Sequence, residues 1–571
     1  MKIVTSRQQV ALVIAHELAH QWFGNLVTMK WWDDLWLNES FANMMEYVCV
    51  NAIEPTWNIF EDFQTSGVPL ALKRDATDGV QSVHVEVKHP DEINTLFDPA
   101  IVYAKGSRLM HMLRRWLGDE AFAKGLNAYF AKHQYGNTIG RDLWNALGAA
   151  SGRDVAAFMD SWLEQPGYPV LTAIVENDTL KISQKQFFIG EKEEKGRLWV
   201  VPLNSNWTGI PDTLETETLE IPNYTALAAQ NEGALRFNTE NTAHYITDYQ
   251  GELLDNILAT ITDLDNTSKL QVVQERRLLA EAGFVSFADL IPVVKKLTNE
   301  RSYLVVSAVK AVLNSLKTFV DEGTETEVAF KKLLVKLNQA NFDRLGFEAK
   351  AGETDEDELV RQIVVANMIA ADDEKASQKA SQIFEAYHDT LEKLPAATRL
   401  QILINQIKRH ETKELTDKYL AKYITTVDGN FQRQLASALS YTKNETTLTH
   451  LLEEWKNKDI VKPQDLAMSW YFTFLQHDFT QGTVWTWARD NWDWIKAALG
   501  GDMSFDKFVI YPASTFKTYE RLAEYKAFFE PQLSDLAISR NISMGIKEIS
   551  ARIDLIDKEK AAVEAAIKAT V

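Results

Sequence analysis

The sequence predicts a multi-domain, mainly α protein, and three observations carry that reading. Its 571 residues exceed what one hydrophobic core supports. Apolar residues recur with helical period along most of the chain, broken by short polar turns. Only one window, 169–250, switches to the two-residue alternation of strands. The chain therefore divides into a helical part over 1–168, a small β-sandwich-like module over 169–250, and a second helical part over 251–571.

In the first part, the apolar run Val10, Leu12, Val13, Ile14, Leu18 and Ala19 predicts a helix whose histidines are partly buried. Thr5 or Ser6 suits its N-cap and Gly24 its C′ position. Further helices are expected over 38–50, 104–116, 119–133, 141–150 and 155–163, with Gln165-Pro166-Gly167 as the stop. In the module, Val170–Val175 should turn through Asn177-Asp178 into Leu180–Ser183. Short strands follow at 198–203, 216–221 and 243–249, and the charge run Glu191–Lys195 reads as a loop. Beyond Gly251, helices are expected over 270–282, 288–297, 303–319, 327–339, 358–371, 399–409, 431–440, 447–456 and 535–556. Helices of this length on short turns suggest stacked pairs, as in a solenoid. Trp485, Trp487, Trp492 and Trp494 are expected to be packing anchors between them.

The chemistry concentrates in His16-Glu17-Leu18-Ala19-His20 and, further on, Glu39. Four residues apart on a helix, His16 and His20 share one face and can grip a single Zn²⁺. Glu17 projects about 100° round the helix, beside the ion, where it can take a proton from bound water. Glu39, from a second helix, would be the third ligand and leave a fourth position open, the mark of a catalytic site.

The run His16–Asn25 (HELAHQWFGN), with Trp31–Glu39 (WWDDLWLNE), closely resembles the M1 family of zinc aminopeptidases, the gluzincins. Tyr103-Ala104-Lys105-Gly106 matches the family's Tyr-x-Lys-Gly segment, and Trp162–Pro169 matches its exit from the catalytic domain. The resemblance extends, more weakly, to the C-terminus. It implies that 1–168 is the helical part of a thermolysin-like domain and 251–571 a curved, HEAT-like α-superhelix. It also implies one zinc per chain on His16, His20 and Glu39, with Glu17 as general base and Tyr103 as the oxyanion-stabilising phenol. Glu39 would in addition face the substrate's α-amino group. Asn38 and Asp33 or Asp34 are candidates for orienting the ligands.

One departure is Ser40, where the family more often has Gly, and no functional consequence is expected of it. The family also carries a β-domain, a β-lobe and a Gly-x-Met-Glu-Asn segment ahead of the zinc helix. Residues 1–15 contain no Asp or Glu, so the sequence resembles a C-terminal portion of such an enzyme. A second function within the family is epoxide hydrolysis. A third, non-catalytic, reading makes the helical solenoid a binding surface.

The resemblance implies peptide substrates, and composition argues against other partners. The net charge of −20, from 80 acidic against 60 basic residues, opposes nucleic acid or an anionic membrane as partner. No stretch reaches 18 uninterrupted apolar residues. A lone Cys49, in an apolar run, reads as a core residue and suggests a cytoplasmic setting. Asn38-Glu39-Ser40 fits a glycosylation pattern, which a metal site would not tolerate.

Overall fold

A computed structural model describes residues 4–190 and 192–570. The chain forms two compact units, Thr5–Asn314 and one that begins at Ser315.

The first unit opens with α1 (Val4–Ala19), β1 (Val27–Met29) and α2 (Trp36–Ile53). Short helices α3 (Phe60–Thr65), α4 (Gly67–Asp75) and α5 (Ile93–Leu96) follow. A π-helical segment, Pro99–Lys105, runs straight into α6 (Gly106–Leu117). Then come α7 (Asp119–His133), β2 (Gly136–Thr138), α8 (Gly140–Ser151) and α9 (Val155–Leu163). β1 and β2 pair in parallel. The core here is Leu37, Phe41, Met44, Ile101, Leu109, Leu113 and Trp162, all buried.

Helix α1 departs from expectation in three ways. It starts at Val4, so Thr5 and Ser6 lie inside it and are not caps. It ends at Ala19, so Gly24 is not its C′ residue. Gly24 instead makes the bend from Phe23 into Val27 at φ +135°, where its N–H donates to the Val27 carbonyl, and a Cβ there would press on Asn38 and the His20 carbonyl. Third, only Leu12 and Ala19 of the apolar run are buried, while Val10, Val13, Ile14 and Leu18 are exposed.

The hairpin over 169–186 and the strands at 218–222 and 246–249 fall where the alternation predicts them. Only 201–202 of the expected 198–203 pairs, and a strand at 213–214 was not expected. β3 (Pro169–Glu176) and β4 (Thr179–Gln186) form a hairpin across Asn177 and Asp178. Both turn residues have positive φ, as the tight hairpin turns that match strand twist require. Leu171, Ala173, Leu180 and Ile182 share one buried face. β5 (Val201–Pro202) and β6 (Thr213–Leu214) make a separate two-stranded ribbon. β7 (Thr218–Pro222) and β8 (Ile246–Tyr249) complete a four-stranded sheet in the order β7-β4-β3-β8, in which only β3 and β8 run parallel. Of the charge run at 191–195, Glu191 lies outside the described residues, and 192–195 carry no regular structure.

In the second unit consecutive helices pack on one another: Glu325–Leu345 on Asp355–Ala370, Glu374–Ala386 on Arg399–His410, and Lys413–Thr425 on Gly429–Leu439. Side-chain oxygens of Thr324, Thr354, Asp373, Thr412, Asp428 and Asn444 cap helix N-termini, so start signals are frequent in the sequence. Trp485 is fully buried against Phe516, Phe528 and Phe529. Trp487 packs edge-on to Trp455, and Trp494 on Trp487, so these tryptophans are inter-helix anchors. Trp492 also donates its indole N–H to Gln532.

Candidate metal centre

α1 and α2 bring three donor atoms to one point. His16 Nε2 and His20 Nε2 lie 3.1 Å apart. Glu39 Oε2 lies 3.4 Å from the first and 3.5 Å from the second. All three side chains are half-buried, and among the described residues this is the one group of three or more such donors close enough to share an ion.

The far sides of both imidazoles are already occupied. His16 Nδ1 bonds Glu46 Oε2 at 2.9 Å, and His20 Nδ1 donates to the Phe23 carbonyl at 3.0 Å. These contacts fix the rings so that both Nε2 atoms face Glu39, which is the orientation a bound cation needs. The donor set therefore fits a tetrahedral divalent ion of the zinc type, with one position left over.

Electrostatics point the same way. Burial pulls the His16 imidazole down, but hydrogen bonds to Glu39 and Glu46 outweigh it and raise its pKa to about 9. Burial pushes Glu39 up, yet its bonds to His16 and His20 bring it down to about 2. The pocket thus holds positive charge strongly, and a metal cation would enter by displacing protons from the histidines.

Glu46 is a site residue that the sequence reading missed. It lies seven residues beyond Glu39, two turns along the same face of α2, and Asn43 between them donates to Glu46 Oε1 at 2.8 Å. That spacing was the available signal. Asp33 and Asp34, by contrast, do not orient the ligands. Asp33 accepts the Val87 N–H at 2.7 Å, and Asp34 accepts the Trp36 indole N–H at 2.9 Å, so both hold loops around the site. Asn38 lies against Gly24, and its buried carbonyl oxygen has no partner.

Glu17 is exposed on α1 beside the histidine pair. The Tyr103 ring stands 6.1 Å from that of His16. Burial first, and then the charges of Glu39 and Glu17, keep its phenol protonated well beyond the ordinary range, so it is a donor at neutral pH. Tyr103 sits on the π segment Pro99–Lys105 and not, as the sequence suggested for 104–116, at the edge of a regular helix. Such widened turns recur at functional sites.

Behind Tyr103 lies a second charged cluster. Lys105 Nζ is 2.9 Å from Asp75 Oδ2, which also accepts from His244 Nε2 at 3.0 Å. Lys105 donates to the Gly167 carbonyl at 3.1 Å, and Asp75 Oδ1 accepts the Gly167 N–H at 2.9 Å. All three side chains are 0% exposed. The cluster joins α4, the π segment, the Gln165-Pro166-Gly167 stop and the residues leading into β8. Cys49 is half-buried and its thiol is raised by burial, which suits packing and not nucleophilic attack.

Residues 2–162 match the peptidase family M1 domain, and residues 235–551 match the ERAP1-like C-terminal domain. The chain is 64% identical over 565 residues to an aminopeptidase N of Lactococcus lactis subsp. lactis, covering 99% of this chain and 66% of that protein. It is 45% identical over 562 residues to aminopeptidase N of Lactobacillus helveticus, again covering 98% of this chain and 66% of the relative. A puromycin-sensitive aminopeptidase of Caenorhabditis elegans is 30% identical over 588 residues, of which this chain covers 62%. The chain thus spans a little under two thirds of the length of these relatives, and no helix among the described residues is long and apolar enough to cross a membrane. On these matches, the chain belongs to peptidase family M1.

Proposed function

We propose that the chain carries the metal centre and catalytic groups of a zinc aminopeptidase that releases N-terminal residues from peptides. The observation that carries this reading is the convergence of His16 Nε2, His20 Nε2 and Glu39 Oε2 with Glu17 and Tyr103 alongside. Zinc bound there would supply a Lewis acid and lower the pKa of its water towards 7. Glu17, free of the ligand set, would be the base that takes a proton from the attacking water and passes it to the departing amine. Tyr103 donates its phenolic hydrogen bond to the oxygen on which negative charge develops, a contribution of about 3 kcal/mol. Glu46 and the Phe23 carbonyl hold the histidine rings in place during the cycle. Glu39 is also the carboxylate available to a substrate's cationic α-amino group.

The names of the relatives favour a peptidase over an epoxide hydrolase or a non-catalytic solenoid. The single, half-buried Cys49 supports a reducing, cytoplasmic setting. Metal analysis and hydrolysis of an aminoacyl-anilide, beside a fatty epoxide, test the reading. Zinc near one per chain and cleavage of the anilide alone are expected. Equal zinc content in the parent and in His16→Ala would overturn the ligand assignment.

A further inference from the structure

Ser40 follows the ligand Glu39 on α2 and is fully buried. Its hydroxyl donates to the Val102 carbonyl at 2.5 Å. Val102 immediately precedes Tyr103 on the π segment. Opposite Ser40 stands Gly106, where a Cβ would overlap the Ser40 hydroxyl, so the absence of a side chain at 106 lets α2 and the π segment come this close. The far end of the same segment is held by Lys105 in its bond to Asp75.

Against the expectation that Ser at this position has no functional consequence, we propose that Ser40 is a positioning residue that sets Tyr103 relative to the metal ligands. The helix that delivers Glu39 and the segment that delivers Tyr103 are joined by one hydroxyl, placed one residue after the first and one residue before the second. A π turn is wider than an α turn and is not held by a regular i→i+4 ladder, so its pitch depends on outside contacts. On one side Lys105 is anchored in a closed, fully buried ion pair. On the other, the Ser40 hydroxyl ties the backbone of the segment to α2, while the Tyr103 side chain reaches Glu39. Loss of that contact lets the backbone at 102–103 relax while His16, His20 and Glu39 keep their own hydrogen bonds. The phenol then moves and the ligands stay.

The kinetic arm of the test rests on the aminopeptidase reading, and the spectroscopic arm does not. Ser40→Ala and Ser40→Gly are made in the chain carrying 3-fluorotyrosine at position 103. Both variants are small enough for the buried site. Zinc content, the ¹⁹F resonance of residue 103, the melting temperature, and kcat and KM on an aminoacyl-anilide are measured. The expected result is unchanged zinc, a shifted or broadened ¹⁹F resonance, and kcat reduced about tenfold with little change in KM, the scale of one lost hydrogen bond. A lower melting temperature with an unmoved ¹⁹F resonance in both variants makes Ser40 merely structural and overturns the proposal. If the parent cleaves nothing, the aminopeptidase reading fails, and the ¹⁹F shift still decides the role of Ser40.

Discussion

Two of the histidine–carboxylate clusters in the first unit behave in opposite ways. At the metal centre, half-buried His16 and His20 meet Glu39 and Glu46, and the carboxylates win: the His16 pKa rises to about 9. Behind Tyr103, fully buried His244 meets Asp75, and burial wins: its pKa falls to about 4. Asp75 stays ionised nonetheless. Burial pushes it up, but the Lys105 ammonium and the His244 hydrogen bond take it below the ordinary carboxylate range. The residue types are nearly the same, and the difference is what balances the charge. One cluster has an ammonium built in and is closed. The other has two carboxylates, two imidazoles and room for a cation. The comparison teaches that a charged cluster becomes a binding site when its compensating charge is left to come from outside.

The largest expected effect falls on the open cluster. Glu17→Gln should keep zinc near one per chain and lower kcat by about 10²–10⁴-fold, because the base stands beside the ion and not on it. Zinc lost together with activity would place Glu17 among the ligands. Next comes the closed cluster. Asp75→Asn leaves the Lys105 charge buried without its counter-ion and should cost about 3–5 kcal/mol in urea unfolding. Zinc content should hold in that variant at low temperature. A loss below about 1 kcal/mol would mean that Lys105 can discharge or reach water, and the contrast between the clusters would fail.

Tyr103→Phe should lower kcat by about 10²-fold with KM little changed, as for a donor that acts in the transition state. A rise in KM alone would move Tyr103 to substrate binding.

The smallest effect sharpens the role of burial by itself. Glu275 is buried and accepts from Gln271, with no ammonium or guanidinium bonded to it in the way Lys105 is bonded to Asp75. Burial raises its pKa to about 8, against hydrogen bonds from Gln271 and the Thr247 backbone and the charge of Arg108. A raised folded-state pKa means full stability below the unfolded value, lost as pH rises. Between the unfolded value of 4.5 and about 8 the unfolded chain gives up a proton that the folded chain keeps. Stability should therefore fall with rising pH by at most about 1.4 kcal/mol per unit in that window. Urea midpoints from pH 5 to 8 should fall less steeply in Glu275→Gln, and identical slopes would discard this account.

What the sequence made legible follows from range. The ligand pair His16 and His20 is one helical turn, and Glu39 lies on the next long helix, so local period and residue type sufficed. Helices such as Asp119–His133 and Val155–Leu163, and the hairpin at Asn177-Asp178, were readable for the same reason. Glu46 was readable only from its seven-residue spacing to Glu39, and that signal is weak until the ring it bonds is placed. The pairing of Asp75 with His244 spans most of the first unit, and nothing local marks either residue. Helices such as Asp478–Asp490 and Tyr519–Phe529 escaped because aromatic residues surround them on several sides and blur the period. The burial of α1 was overestimated, since an apolar stripe states a preference for cover and not the presence of a neighbour.

The π segment also makes a statement about deletions. Between Pro99 and Lys105 the helix carries, in effect, one residue more than an α-helix of the same span would hold. A one-codon deletion between Pro99 and Val102 would let the backbone fall into ordinary pitch, at the cost of one buried residue of the run Ala100-Ile101-Val102, while Gly106–Leu117, beyond the deletion, would keep its own helical period. Tyr103, however, would leave its widened turn and no longer point as it does beside His16. The reading frame would be intact and every metal ligand present, yet the phenol would be displaced. Length at this point in the chain therefore matters to the site as the identity of a side chain does.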